Sequence, residues 1–167
     1  MTTPTMSTDE YGNTRYILNG KVHRTDGPAY IGADGSQEWW INGLRHREDG
    51  PAVTYASGAR SWYINGLRHR EDGPAVIWAN GSQLWYLNDQ RHKEDGPAVI
   101  HADGRQSWYL NDLLHRLDGP ARIWADGSQE WYLNDKQYDF NNYCKKLKLS
   151  KEDILFLKLK YNTCVVA

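Results

Sequence analysis

The sequence has little of what builds a disulfide framework, a membrane span or a phenylalanine-rich core. It contains only two Cys and two Phe in 167 residues. Cys144 and Cys164 are too few for a disulfide framework, and neither belongs to a Cys-x-x-Cys metal motif. No apolar run approaches the roughly 20 residues that cross a bilayer, and the Thr-rich N-terminus has no signal-peptide core. We therefore expect a cytoplasmic protein with no membrane span.

An excess of one charge is also missing, since the formal net charge is −1. No global field draws such a chain to nucleic acid or to anionic lipid. The average hides an asymmetry, because residues 1–135 carry 13 Lys or Arg and 18 acids, which gives 13 − 18 = −5. Residues 136–167 carry seven Lys and three acids, which gives +4. We expect no nucleic-acid partner, although the Lys-rich C-terminal segment leaves that question open.

What the sequence does have is an internal repeat. The tetrapeptide Asp-Gly-Pro-Ala begins at a constant step of 23 residues, at Asp26, Asp49, Asp72, Asp95 and Asp118. Five units cover residues 11–125, and a partial sixth extends the array to residue 135. Each unit must bury its apolar face against its neighbours. Residues 1–10 precede the array, and we expect them to be disordered.

One unit, residues 57–79, shows the internal plan. Ser57-Gly58 and Asn65-Gly66 are both typical of two-residue type I′ turns, which need positive φ. Strands are expected over 60–64 and 75–79, separated by the Asp-Gly-Pro loop. The sequence thus predicts a mostly β protein, an elongated antiparallel β-meander or solenoid of tandem hairpins.

Aromatic residues recur on both faces of the predicted strands, because side chains alternate along a strand. One face carries Trp39, Trp62, Trp85, Trp108 and Trp131 beside Ile or Leu, and we interpret it as the core face. The other face carries a candidate partner-binding strip of Trp40, Tyr63, Tyr86, Tyr109 and Tyr132, with Trp78 and Trp124 from the adjacent strand. These rings either stiffen the sheet by cross-strand packing or contact a partner. Equivalent rings about 10 Å apart would leave slots for a side chain, a base or a sugar.

A polar column is equally regular and consists of His46, Asp49, His69, Asp72, His92, Asp95, His115 and Asp118. His with Asp suggests acid–base chemistry or metal ligation. A catalytic site, however, needs one constellation in one cleft rather than equal copies in every repeat. We therefore predict a structural role, with the loop Asp capping backbone amides and the His bonding its carboxylate. We expect no catalytic residue, no metal and no cofactor.

The repeat fails from Lys136 onward, where the pattern becomes helical. Asp139 is a candidate N-cap for a short helix that carries Phe140, Tyr143, Cys144 and Leu147 on one side. Ser150 to Asp153 resembles a capping box before a second helix with Ile154, Leu155, Leu157 and Leu159. The end of a repeat array needs a cover. Residues 136–167 are therefore predicted to form a small helical C-terminal cap.

The unit resembles the MORN repeat, which is also 23 residues long. That family's core is an aromatic residue, a spacer, Asn-Gly, two spacers and His, and residues 40–46 (Trp-Ile-Asn-Gly-Leu-Arg-His) match it position by position. The Asp-Gly-Pro-Ala variant is similar to proteins of large bacteriophages, giant viruses and bacteria, some of them labelled antitoxins. The resemblance implies an elongated antiparallel sheet, often dimerised, that contacts proteins and in some members phospholipid. A homodimer is therefore one expected assembly.

These observations lead to a functional hypothesis and one alternative. The first is a non-enzymatic scaffold that binds a partner protein. The resemblance implies a phage-encoded inhibitor of a bacterial antiviral defence protein, acting in the host cytoplasm. The alternative is a protein that binds a small molecule such as a nucleotide or glycan in aromatic slots between repeats.

Overall fold

The structure is a computed structural model that describes residues 3–163. The chain is mostly β, an antiparallel meander of short strands followed by two helices, which confirms the predicted fold class. It divides into two compact units, one ending at Gln90 and one beginning at Arg91.

The strands are two to five residues long. They are β1 (Thr5–Thr8), β2 (Thr14–Leu18), β3 (Lys21–Val22), β4 (Tyr30–Ile31), β5 (Gln37–Glu38), β6 (Trp40–Ile41), β7 (Leu44–Arg45), β8 (Val53–Thr54), β9 (Arg60–Ser61), β10 (Tyr63–Ile64), β11 (Leu67–Arg68), β12 (Val76–Ile77), β13 (Gln83–Leu84), β14 (Tyr86–Leu87), β15 (Gln90–Arg91), β16 (Val99–Ile100), β17 (Gln106–Ser107), β18 (Tyr109–Leu110), β19 (Leu113–Leu114), β20 (Arg122–Ile123), β21 (Gln129–Leu133) and β22 (Lys136–Tyr138). The helices are α1 (Phe140–Leu147) and α2 (Lys151–Tyr161).

Each repeat contributes to a main sheet and to a small hairpin. In the first unit the main-sheet order is β1-β2-β4-β5-β8-β9-β12-β13, and in the second it is β16-β17-β20-β21-β22. The small hairpins are pairs such as β6 with β7, β10 with β11 and β18 with β19. In the first unit, successive small hairpins are joined by backbone bonds, since Arg47 N–H donates to the Tyr63 carbonyl at 3.0 Å.

The predicted strand over 60–64 is interrupted at Trp62. The Trp62 N–H donates to the Ala75 carbonyl of the main sheet at 2.8 Å, whereas its carbonyl accepts from His69 N–H of the small hairpin at 3.2 Å. The tryptophan is thus the residue at which the chain leaves one sheet and enters the other.

The two turns of a repeat differ in type. Asn65 and Gly66 have φ of 50° and 82°, as the predicted type I′ turn requires. At Ser57-Gly58 only the glycine has positive φ, and bonds run from Gly58 N–H to the Tyr55 carbonyl and from Tyr55 N–H to the Ala59 carbonyl. The type I′ prediction is therefore wrong here, because this pattern is a type I turn followed by a left-handed glycine.

The core of the array is built from small residues. The alanine of every Asp-Gly-Pro-Ala motif is fully buried, and it is joined by a buried valine in three repeats and by buried serines: Ala29, Ala52, Ala75, Ala98, Ala121, Val53, Val76, Val99, Ser36, Ser61, Ser82 and Ser107. The expected core face of tryptophans is therefore wrong for four of its five members. Trp39, Trp62, Trp85 and Trp108 are only half-buried, and Trp131 alone is enclosed, at 5% exposure.

The N-terminal prediction needs a correction. Residues Thr5–Thr8, expected to be disordered, form β1 and pair with β2 from Thr5 opposite Ile17 to Thr8 opposite Thr14. The first main strand would otherwise present an unpaired edge, and this polar segment covers it.

The C-terminal helices begin where the sequence predicts. Asp139 caps α1 by accepting from Asn142 N–H, and Ser150 with Asp153 forms the capping box of α2. Tyr143, Cys144 and Leu157 pack with Trp131 and Leu133 of the last hairpin, and burial raises the pKa of the Cys144 thiol. The cap differs in two respects, since Lys136–Tyr138 is a strand and Leu155 and Leu159 are exposed. Residues 164–167 of the predicted cap, with Cys164, lie outside the described residues.

Candidate partner-binding grooves

The histidine column joins each repeat to the next. The Asn65 N–H donates to His46 Nδ1 at 3.2 Å, and the Asn65 side-chain oxygen lies 3.0 Å from the same nitrogen. The equivalent pairs are His23–Asn42, His69–Asn88, His92–Asn111 and His115–Asn134. The structure thus places a structural contact at each predicted histidine, but its partner is the turn Asn of the following repeat rather than the loop Asp.

The position of this asparagine gives a first prediction. Asn65 has φ of 50°, a region that costs a residue such as Ala about 1–2 kcal/mol but suits Asn and Gly. We expect Asn65→Ala to lower the free energy of unfolding in urea by about 1–2 kcal/mol. Asn65→Gly is the matched control and should cost less, because it removes the same side chain without backbone strain. Equal losses in the two variants would contradict a backbone origin.

The loop aspartates pair with arginine rather than with histidine. Arg47 Nε donates to Asp49 at 2.8 Å while its guanidinium lies 4.1 Å from the Trp39 ring centroid. Arg70 and Arg116 repeat this stacking, at 4.1 Å from Trp62 and 4.0 Å from Trp108. The hydrogen bond from arginine holds the pKa of Asp49 below its ordinary value. Sequence reasoning missed this role for the arginines, and its signal was their place two residues before the Asp in four of the five repeats, with Lys93 in the other.

The predicted aromatic strip does not form one exposed surface. Tyr86 and Tyr109 are buried, at 7% and 9% exposure, beneath the guanidiniums of Arg68 and Arg91 at 3.9 and 3.8 Å from their ring centroids. These two tyrosines are therefore not part of an exposed strip, because an arginine from the small hairpin of the preceding repeat covers each ring. Of the remaining members, Trp78 is 52% exposed, whereas Trp40, Tyr63, Tyr132 and Trp124 are half-buried.

Two grooves lie instead on the opposite face, the tryptophan face, which carries Trp39 and Trp108. One groove of about 660 Å³ lies between the loops 24–27 and 46–49, with Trp39 and Ile41 as its floor. A second groove of about 580 Å³ lies between the loops 93–96 and 115–118, with Trp108 and Leu110 as its floor. The lining residues correspond one to one at an offset of 93 − 24 = 69, which is three repeats of 23. We call these two sites the loop grooves.

The rim of the loop grooves is acidic. The side chains of Glu48 and Glu94, one in each groove, are 86% and 85% exposed, whereas Arg47 of the first groove is 25% exposed. A ligand that enters a groove therefore meets carboxylates first and the stacked arginine and tryptophan below. Apolar floors with a few charged groups at the edge are typical of binding clefts.

Within residues 3–163, no three His, Cys, Asp or Glu side chains are grouped as metal ligands. In the same part of the chain, no helix is long and apolar enough to cross a membrane.

Comparisons with known proteins do not assign a family. No family model matches this chain, and no relative is found among curated proteins. The MORN-like identity therefore stays a prediction based on the repeat.

Proposed function

We propose that this chain is a non-enzymatic scaffold that binds a partner protein through the loop grooves. The observation that carries the proposal is the recurrence of one groove, residue for residue, in both compact units. A surface that offers equivalent sites in several repeats suits a partner that is contacted at more than one point. The polar residues around each groove are held by structural bonds, such as Arg47 to Asp49.

Site-specific photocrosslinking tests this proposal. Leu117 is 58% exposed and lines the second groove, whereas the exposed Ala125 of the same unit lines neither loop groove. We would place the photoreactive residue benzoylphenylalanine at each position and irradiate the full chain in a bacterial lysate. A protein crosslinked from position 117 and not from position 125 is the expected result. Crosslinking from position 125 alone, or from neither position, would contradict the proposal.

The MORN-like resemblance supports a more specific proposal about the partner. It favours a bacterial host protein involved in antiviral defence, with this chain as its phage-encoded inhibitor. Identification of the crosslinked protein by mass spectrometry tests this step separately, because a partner of another kind leaves the scaffold proposal intact.

The small-molecule alternative uses the same grooves. Volumes of about 580 and 660 Å³ fall within the range of ligand pockets, and the half-buried Trp39 and Trp108 would report binding. Titration of tryptophan fluorescence with nucleotides and glycans separates the two functions. A saturable change with one of these compounds would favour the alternative.

A further inference from the structure

At the end of the array, the chain's own C-terminal segment covers the tryptophan that corresponds to Trp39 and Trp108. Trp131 is the last tryptophan of the series, and it is 5% exposed where Trp39 and Trp108 are half-buried. The difference comes from the chain's own C-terminal segment, which packs over it. Phe140 and Tyr143 of α1 lie 5.2 and 4.7 Å from its ring centroid.

Tyr161 completes this cover and also contacts the preceding loop. Its ring lies 5.7 Å from the Trp131 centroid, and the Arg116 guanidinium lies 5.6 Å from the Tyr161 centroid. The Tyr161 hydroxyl lies against Gly119 of the Asp-Gly-Pro-Ala loop. An aromatic side chain thus sits between a tryptophan floor and a stacked arginine, in the part of the repeat where the loop grooves are open.

The residue beside this tyrosine is a cation that faces the loop acid. The pKa of Asp118 lies below its ordinary value, chiefly because Arg116 donates to it, and the Lys160 ammonium nearby lowers it further. The Lys160 ammonium nitrogen lies 5.3 Å from the Tyr161 ring centroid, so a cation and an aromatic ring lie side by side at this site.

The residues around Lys160 and Tyr161 have counterparts in the open grooves. In the groove over Trp39, Arg24 and Asp26 correspond to Arg116 and Asp118, and Trp39 corresponds to Trp131, all at an offset of four repeats, 131 − 39 = 92. The groove over Trp108 has the exposed Glu94 where the site at Trp131 has Leu117, and the groove over Trp39 has the exposed Glu48 where that site has Phe140. Negative charge is thus greater there than at the site that already holds a lysine.

From these correspondences we infer that the loop grooves bind partner segments in which an aromatic residue stands next to Lys or Arg, as Tyr161 stands next to Lys160. This inference rests on the proposed partner-binding function and names the chemistry of the partner. Charge complementarity favours such a ligand, since residues 1–135 carry −5 and the exposed rim is made of carboxylates.

A peptide with the sequence of residues 151–163, labelled with fluorescein, is the probe, and the full chain is the receptor. We expect saturable binding by fluorescence anisotropy that weakens as salt is raised. Replacing the tyrosine of the peptide by alanine, or its neighbouring lysine (position 160) by glutamate, should each weaken binding by about tenfold. Equal affinity for the three peptides would overturn the inference.

Receptor variants show where the peptide binds. The double variant Glu48→Gln and Glu94→Gln removes one negative charge from the rim of each loop groove and should weaken binding by about tenfold. The matched control Ala56→Lys and Ala125→Lys changes the net charge equally at exposed turn residues and should bind like the wild type. Circular dichroism establishes that both variants are folded. Binding that the rim variant leaves unchanged would mean exchange with the chain's own tail at Trp131, which also overturns the inference.

The two proposals fail separately. If a partner is crosslinked but the three peptides bind equally well, the inference about an aromatic–basic ligand is wrong and the scaffold proposal stands. If peptide binding is selective but no partner is crosslinked from position 117, the proposed cellular function is wrong and the inferred ligand chemistry of the grooves stands.

Discussion

Replacing Tyr143 by alanine should lower the free energy of unfolding of the second unit by about 3–5 kcal/mol, the loss typical of a deleted buried aromatic ring. Tyr143 is fully buried in α1, and its ring lies 4.7 Å from Trp131. It therefore joins the helical cap to the last hairpin, and its removal leaves a cavity between them. Urea denaturation followed by tryptophan fluorescence measures the loss.

Tyr143→Phe is the matched control, because it keeps the ring and removes only the hydroxyl. That hydroxyl donates to the Arg116 carbonyl at 2.8 Å, so we expect a smaller loss of about 1–2 kcal/mol. A loss as large as that of Tyr143→Ala would show that the hydrogen bond, rather than ring packing, holds the cap.

The same residue predicts a dependence on alkaline pH. Burial raises the pKa of Tyr143 above its ordinary value of 10.0, whereas in the unfolded chain the phenol ionises near that value. The stability due to the neutral phenol is therefore complete below pH about 10 and is lost as the pH rises through the folded pKa. The wild type should begin to lose its advantage over Tyr143→Phe above about pH 10 and should lose more of it as the pH rises further. A constant difference between the two proteins would contradict this assignment.

Local signals of the sequence predicted much of the fold. The Asn-Gly turns of the small hairpins, such as Asn65-Gly66, the cap at Asp139 and the capping box at Ser150 each depend on two to four neighbouring residues, and each is confirmed. The turn at Ser57-Gly58 was assigned the wrong type because a type I turn with a left-handed glycine needs positive φ at only one position. The two turns look alike in sequence, and the strands they join decide between them.

The candidate site was harder to predict, because the two faces were assigned by alternation along one continuous strand. The chain changes sheets at Trp62, so the alternation that begins at Arg60 does not carry through to Tyr63. Burial of the tyrosine positions also depends on Arg68 and Arg91, which come from separate strands. The grooves lie between loops of successive repeats. These loops are too far apart in the sequence for a local pattern to predict the groove.

The alanine of Asp-Gly-Pro-Ala was recognised as part of the repeat, and its burial gives the second large prediction. Ala75 has no exposed surface, and its carbonyl accepts the Trp62 N–H at 2.8 Å. A longer side chain at this position has no room and must displace either that bond or its neighbours. We expect Ala75→Leu to lower the free energy of unfolding by about 1–3 kcal/mol, the range for overpacked cores.

Ala79→Leu is the control in the same repeat, since it makes the same change at an exposed turn residue. It should alter the free energy of unfolding by less than about 0.5 kcal/mol. If urea denaturation gave equal losses, the effect would belong to leucine itself rather than to the buried site. A loss confined to Ala75→Leu would instead mean that the close approach of this alanine to the strand at Trp62 leaves no room for a longer side chain.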